Sequence, residues 1–155
     1  MKKLLFALLL SLSVSAAVAQ EEISFTSGRD KHDGKPQFFA NLSQKFALKT
    51  GFIENMFSFK KDETVIVTVS EGFVFNGKVI SKTVESNGLE VITLESNQRK
   101  GLVLSVSKYT RPDGTVDYMG VITSREFSDM IMLEKDIITG NYQWTRKNLS
   151  QMIAD

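Results

Sequence analysis

The only histidine, His32, sits in Arg29-Asp30-Lys31-His32-Asp33-Gly34, and the chain has no cysteine. A Ser-His-Asp arrangement would have to use His32. Its polar, glycine-flanked setting predicts a solvated loop, whereas a catalytic base must be held within hydrogen-bond reach of its proton by packed neighbours. The lack of cysteine removes thiol nucleophiles, thiolate zinc sites and disulfides together. Neither a G-x-S-x-G elbow nor an H-E-x-x-H pair occurs, and no glycine-rich loop is built to cradle phosphate. Asp30 and Asp33 precede Gly34 without the alternating oxygen ligands of a calcium loop. Paired carboxylates are the remaining catalytic chemistry. Glu85, Glu90, Glu95, Asp117, Glu126, Asp129 and Glu134 fall on or near predicted strands and turns. A glycosidase-type pair needs two of them facing across a cleft, and the simpler expectation is exposed strand charges that blunt sheet edges. No catalytic residue, metal ligand or cofactor is therefore assigned from sequence. Four aromatic residues, Tyr109, Tyr118, Tyr142 and Trp144, are the candidate anchors for a ligand or partner, because rigid aromatic side chains with a polar handle dominate recognition surfaces. Core packing is expected to claim at least half of them.

The elements that must position these residues are mainly β. Thr64 to Val69 alternates with Val65, Val67 and Val69 on one face, and Glu71-Gly72 turns the chain. Phe73, Phe75, Gly77 and Val79 share a face of the next strand. Asn76-Gly77 there reads either as a hairpin turn or as a bulge at Gly77. Ser86-Asn87-Gly88 is a turn, Leu89 to Glu95 a strand and Ser96 to Gly101 a polar loop, and Leu102, Leu104 and Val106 line one further face. Arg111-Pro112-Asp113-Gly114 combines a fixed φ, a side chain that bonds back to the backbone, and a residue that accepts positive φ. Val116, Tyr118 and Ile122 face one way after it. Met130 to Leu133 and Tyr142 to Thr145 are short strands joined through Gly140-Asn141, and Asn148 to Ala154 is expected to close as a helix capped by Asn148. Six or seven strands separated by short turns predict an antiparallel meander that forms a small barrel, half-barrel or sandwich.

A Phe-rich segment precedes the strands. Phe38, Phe39, Leu42 and Phe46 follow helical spacing, Gly51 stops or bends the chain, and Phe52 to Phe57 predicts a second short helical turn. Nine of the phenylalanines lie between Phe25 and Phe75, which predicts an apolar helical segment plugging or crossing a sheet built largely by the rest.

The first 19 residues read as a signal peptide. Lys2 and Lys3 form a positive start, Leu4 to Leu12 is an apolar core shorter than the ~20 residues of a membrane span, and Ala17-Val18-Ala19 fits the cleavage pattern. Residues 20–37 are polar and expected to be loose, apart from a possible strand at Ile23-Ser24-Phe25, and 38–155 form a single β-rich domain. Export implies a periplasmic or extracellular location with no transmembrane segment once the leader is removed. The chain has 19 basic and 18 acidic residues; without Lys2 and Lys3 the balance is 17 to 18, which gives no support to nucleic acid as a partner.

The run Phe39-Phe75, with Met56-Phe57-Ser58-Phe59-Lys60 and Phe73-Val74-Phe75-Asn76-Gly77-Lys78-Val79, together with Asp113-Gly114-Thr115 and Tyr118-Met119-Gly120, resembles small, poorly characterised exported β-rich proteins of Bacteroidota-type bacteria. These motifs are structural punctuation, and the resemblance implies no activity. Where those proteins carry Gly-Asp followed by apolar residues, this chain has Phe127-Ser128-Asp129-Met130. The expectation is a non-catalytic exported module that binds a protein or a surface polymer. A barrel-type carrier of an apolar ligand is the alternative, and a carboxylate-based hydrolase ranks third.

Overall fold

Period-two patterning organises the chain from Thr64 onward, and the computed structural model, which describes residues 35–149, turns each such run into a strand. The order is β1 (Lys45–Ala47), α1 (Phe52–Ser58), β2 (Thr64–Ser70), β3 (Phe73–Val84), β4 (Leu89–Ser96), β5 (Leu102–Thr110), β6 (Val116–Ser124), β7 (Asp129–Lys135) and β8 (Tyr142–Asn148). All pairings are antiparallel, in the spatial order β1-β8-β7-β6-β5-β4-β3-β2. From β2 to β8 this is the expected meander, and it curls into a half-barrel. No helix among the described residues is long and apolar enough to cross a membrane.

The concave face holds the core. Val65, Val67, Val69, Phe75, Val79, Ile92, Leu94, Leu104, Val106, Ile122, Ile131 and Trp144 point inward and are buried. The half-barrel has two free edges, β1 and β2, and the chain must cross from one to the other. It does so through the segment before α1, where the Lys49 N–H donates to the Val69 carbonyl at 3.1 Å. The same carbonyl accepts from Trp144 Nε1 at 3.3 Å. The helix has only seven residues and no side-chain cap, too short to persist alone. Burial of Phe52, Ile53 and Met56 against the sheet holds it, with the Phe52 ring edge-on to Trp144 at 5.5 Å.

Several sequence expectations are corrected. Phe38 to Phe46 forms no helix: it is a turn, closed by Leu42 N–H to the Phe39 carbonyl, followed by the three-residue β1. The helical spacing of its apolar residues has another cause, since Phe39 enters the lower interior while Phe46 lies opposite Trp144 in register. Asn76-Gly77 neither turns nor bulges. β3 runs through it, and the register shift against β4 falls at Val79/Ser81. Gly77 is there for close approach, because a Cβ would lie 2.5 Å from the Glu95 carbonyl oxygen and 2.7 Å from the Phe75 ring. Asn148 ends β8, and Leu149 directly after it is helical, where the sequence predicts the closing helix to begin. The remainder of that predicted helix, the predicted leader, His32, Asp30, Asp33 and the expected short strand at Ile23 lie outside the described residues. Residues 35–37 have no regular structure, yet the Pro36 carbonyl accepts from Ser128 N–H at 3.1 Å.

Candidate binding rim

Register alone brings one row of polar and aromatic residues onto the concave face at one end of the half-barrel. Glu90 on β4 is opposite Lys108 on β5, Lys108 is opposite Tyr118 on β6, and Lys135 on β7 is opposite Tyr142 on β8. Lys82 on β3, opposite Ile92 in register, reaches them through its side chain, its Nζ 3.5 Å from the Glu90 carboxylate, while Lys108 Nζ lies 3.8 Å from the other Glu90 oxygen. The row directly beneath is the apolar series Ile92, Val106, Gly120, Leu133 and Trp144. Gly120 makes room for the indole: a Cβ there would sit 3.3 Å from Trp144 Cη2 and 3.1 Å from Leu133 Cβ.

The end of α1 fills the middle of the rim. Helix C-termini present carbonyls without intrahelical partners, and Lys82 Nζ donates to Phe57 O at 2.6 Å and Phe59 O at 3.1 Å. A cation is favoured there by the helix dipole. The Phe57 ring then lies 6.4 Å from the Tyr118 ring and 5.8 Å from Lys108 Nζ. Tyr118 and Tyr142 pack edge to face at 5.5 Å, and Tyr142 Oη accepts from the Tyr118 N–H at 3.0 Å. Lys135 Nζ stands 5.6 Å above the Tyr142 ring. Burial, then the nearby Glu54 charge, then Tyr142 push the Tyr118 phenol above its ordinary 10.0. It is a neutral hydrogen-bonding group throughout the neutral range.

Of the four aromatics singled out in the sequence, the structure thus brings Tyr118 and Tyr142 together. Trp144 is fully buried beneath them as core. Tyr109 falls on the convex face, 40% exposed, as the alternation of β5 requires. The lysines of the rim were missed by sequence reading. Their signal was present in the inward parity of Lys108 and Lys135, which continues the apolar faces of their strands.

The candidate carboxylates do not converge into a pair. Glu90 is bracketed by two lysines, Glu134 pairs with Lys147 at 3.0 Å, and Asp117 takes Arg111 Nε at 2.7 Å. Asp129, 2% exposed, accepts the backbone N–H groups of Phe38 and Phe39 at 2.8 and 2.9 Å. Glu85 meets Asn87, and Glu95 sits opposite Lys78. Glu126 lines a shallow groove with Lys100, Arg125 and Phe127, near residues 35 and 149 where the described chain begins and ends. No group of three or more metal-binding side chains forms among the described residues. Comparison with protein-family models, curated proteins and solved structures finds no match to this chain.

Proposed function

We propose that this chain is an exported, non-catalytic binding module, and that its concave rim takes an acidic surface polymer. The observation that carries this reading is the rim of Lys108, Tyr118, Lys135 and Tyr142, which Lys82 reaches from the row beneath; three cations and two phenol rings share one face with Glu90, and the Glu54 charge of α1 lies near Tyr118. Aromatic faces offer flat apolar contact to sugar rings, and neighbouring ammonium groups attract carboxylates. The leader and the resemblance to exported Bacteroidota-type proteins support placing such a module in the periplasm or outside the cell.

The filled interior favours this reading over a carrier of an apolar ligand. Phe52, Met56, Phe75 and Trp144 occupy the space a passenger would need, each at most 2% exposed. The test is a titration with polygalacturonate, with neutral dextran as control, of the protein and its Lys108→Glu/Lys135→Glu variant. Lys135 is exposed and Lys108 about a third exposed beside Glu90, so circular dichroism and thermal melts check that the variant keeps the parent fold. The expected result is salt-sensitive binding of the acidic polymer that weakens at least tenfold in the variant. Equal binding by the two proteins, or preference for dextran, would contradict the proposal.

A further inference from the structure

The two lysines that hold Glu90 are not equivalent. An ammonium group has three donors. Lys82 Nζ meets three oxygens, Phe57 O at 2.6 Å, Phe59 O at 3.1 Å and one Glu90 oxygen at 3.5 Å. Those contacts use all its donors and fasten the end of α1 to β3. Lys108 Nζ has one oxygen partner among the described residues, the second Glu90 oxygen at 3.8 Å. That separation exceeds a hydrogen bond, and the side chain is 35% exposed, so its donors still face the open rim. Lys135 has no carboxylate partner among the described residues and stands over the Tyr142 ring. β6 and β7 pair only where Gly120 to Ile122 meets Ile131 to Leu133. Beyond Gly120, Tyr142 Oη takes the Tyr118 N–H in place of a strand partner. The rim is therefore open between Tyr118 and Lys135, with Lys108 on the far side of Tyr118.

We infer that Glu90 holds the place of a ligand carboxylate and, resting on the proposed function of the rim, that an acidic polymer binds by exchanging one of its own carboxylates for Glu90 on Lys108. The two Glu90 oxygens have separate partners, one meeting Lys82 and the other Lys108. Giving up Lys108 leaves Glu90 paired with Lys82, so the exchange strands no charge, which would otherwise be costly in a half-buried position. The incoming carboxylate gains Lys108, and across the opening Lys135 adds its attraction. A sugar ring then lies against Tyr118 and Tyr142, whose rings pack at 5.5 Å. A neutral chain brings nothing to replace Glu90 at Lys108. Discrimination between acidic and neutral polymers therefore lies at this one cation, and Glu90 sets its strength by competing for it.

Glu90→Gln keeps the shape of the side chain and removes its charge. Titrated with polygalacturonate, it is expected to bind several-fold more tightly than the parent, the scale of one partly exposed ion pair. Glu90→Asp, a methylene shorter and drawn back from Lys108, should move affinity in the same direction and serves if Glu90→Gln does not fold. Glu54→Gln removes an equal charge near Tyr118 that no lysine among the described residues pairs with, and it should gain less. In a Lys108→Met background the change of Glu90 to Gln should gain nothing, because the exchanged contact is gone. If the parent binds and Glu90→Gln binds no more tightly, Glu90 positions the rim instead of competing for it; the exchange is overturned and the rim keeps its proposed function. A gain that survives Lys108→Met, or that Glu54→Gln equals, is a general field effect and overturns the exchange too. Absence of binding by the parent and by Glu90→Gln alike overturns both the exchange and the proposed function.

Discussion

Single side chains in this protein are set by their partners across the sheet. Glu134 illustrates how opposing effects resolve. Partial burial pushes its carboxyl up, but the Lys147 hydrogen bond and the charges of Lys147 and Lys45 outweigh it and hold the group below its ordinary 4.5. A carboxyl lowered in this way binds fewer protons folded than unfolded. Its stabilisation is therefore complete above the ordinary value and is lost as pH falls through the lowered folded one. The pair is about a third exposed, so solvent screening limits the effect to below about 1 kcal/mol. Thermal melts of Glu134→Gln should be less stable than the parent at pH 7 and converge with it well below pH 4.5. A gap that persists unchanged into acid would mean the ion pair is not its origin. Tyr109 and Trp144 show the limit of residue-scale reading. Both are plausible anchors by type, and strand parity sends one to the convex face and the other into the core.

At the scale of elements, the decisive interactions are long in sequence. The turn at Phe38 to Leu42 has no helical hydrogen bonding to hold it. Asp129, at the start of β7, accepts its two N–H groups, and Arg146 on β8 donates to the Phe39 carbonyl at 2.9 Å. Phe38 then stacks on Phe127 with its centroid 4.8 Å away, and Arg99 lies over its ring at 4.9 Å. Asp129→Ala strands both amides without an acceptor, a loss of about 1–3 kcal/mol for each buried group left unpaired. Hydrogen exchange at the Phe38 and Phe39 amides should accelerate in that variant more than exchange in β4 or β5. Uniform acceleration would show that the turn is not separately pinned. This explains why the strands were legible in the sequence and the segment before them was not. Period two and the Arg111 to Gly114 turn are local signals, and the strands from Thr64 onward lie where they predict. Phe38, Phe39, Leu42 and Phe46 also look local, at helical spacing, but a carboxylate some ninety residues away decides their conformation. β1 was missed because three residues bounded by turns carry too little pattern to read.

For the whole molecule, filling the interior leaves the surfaces to carry function. α1 plugs one end with Phe52 and Met56, Phe39 closes the other, and Trp144 ties the concave wall to edge strand β2 through Val69. What stays accessible on the concave side is the Tyr–Lys rim, which no local motif announces. With Glu90 its members come from six strands, and register assembles all but Lys82, which reaches Glu90 from the row beneath. The most direct measurement is amide chemical-shift mapping as polygalacturonate is added to the labelled protein. The account predicts that shifts concentrate at Phe57 to Phe59, Lys82, Glu90, Lys108, Tyr118, Lys135 and Tyr142. Shifts confined to the convex face around Tyr109 and Met119, or to the groove at Arg125 and Phe127, would contradict it.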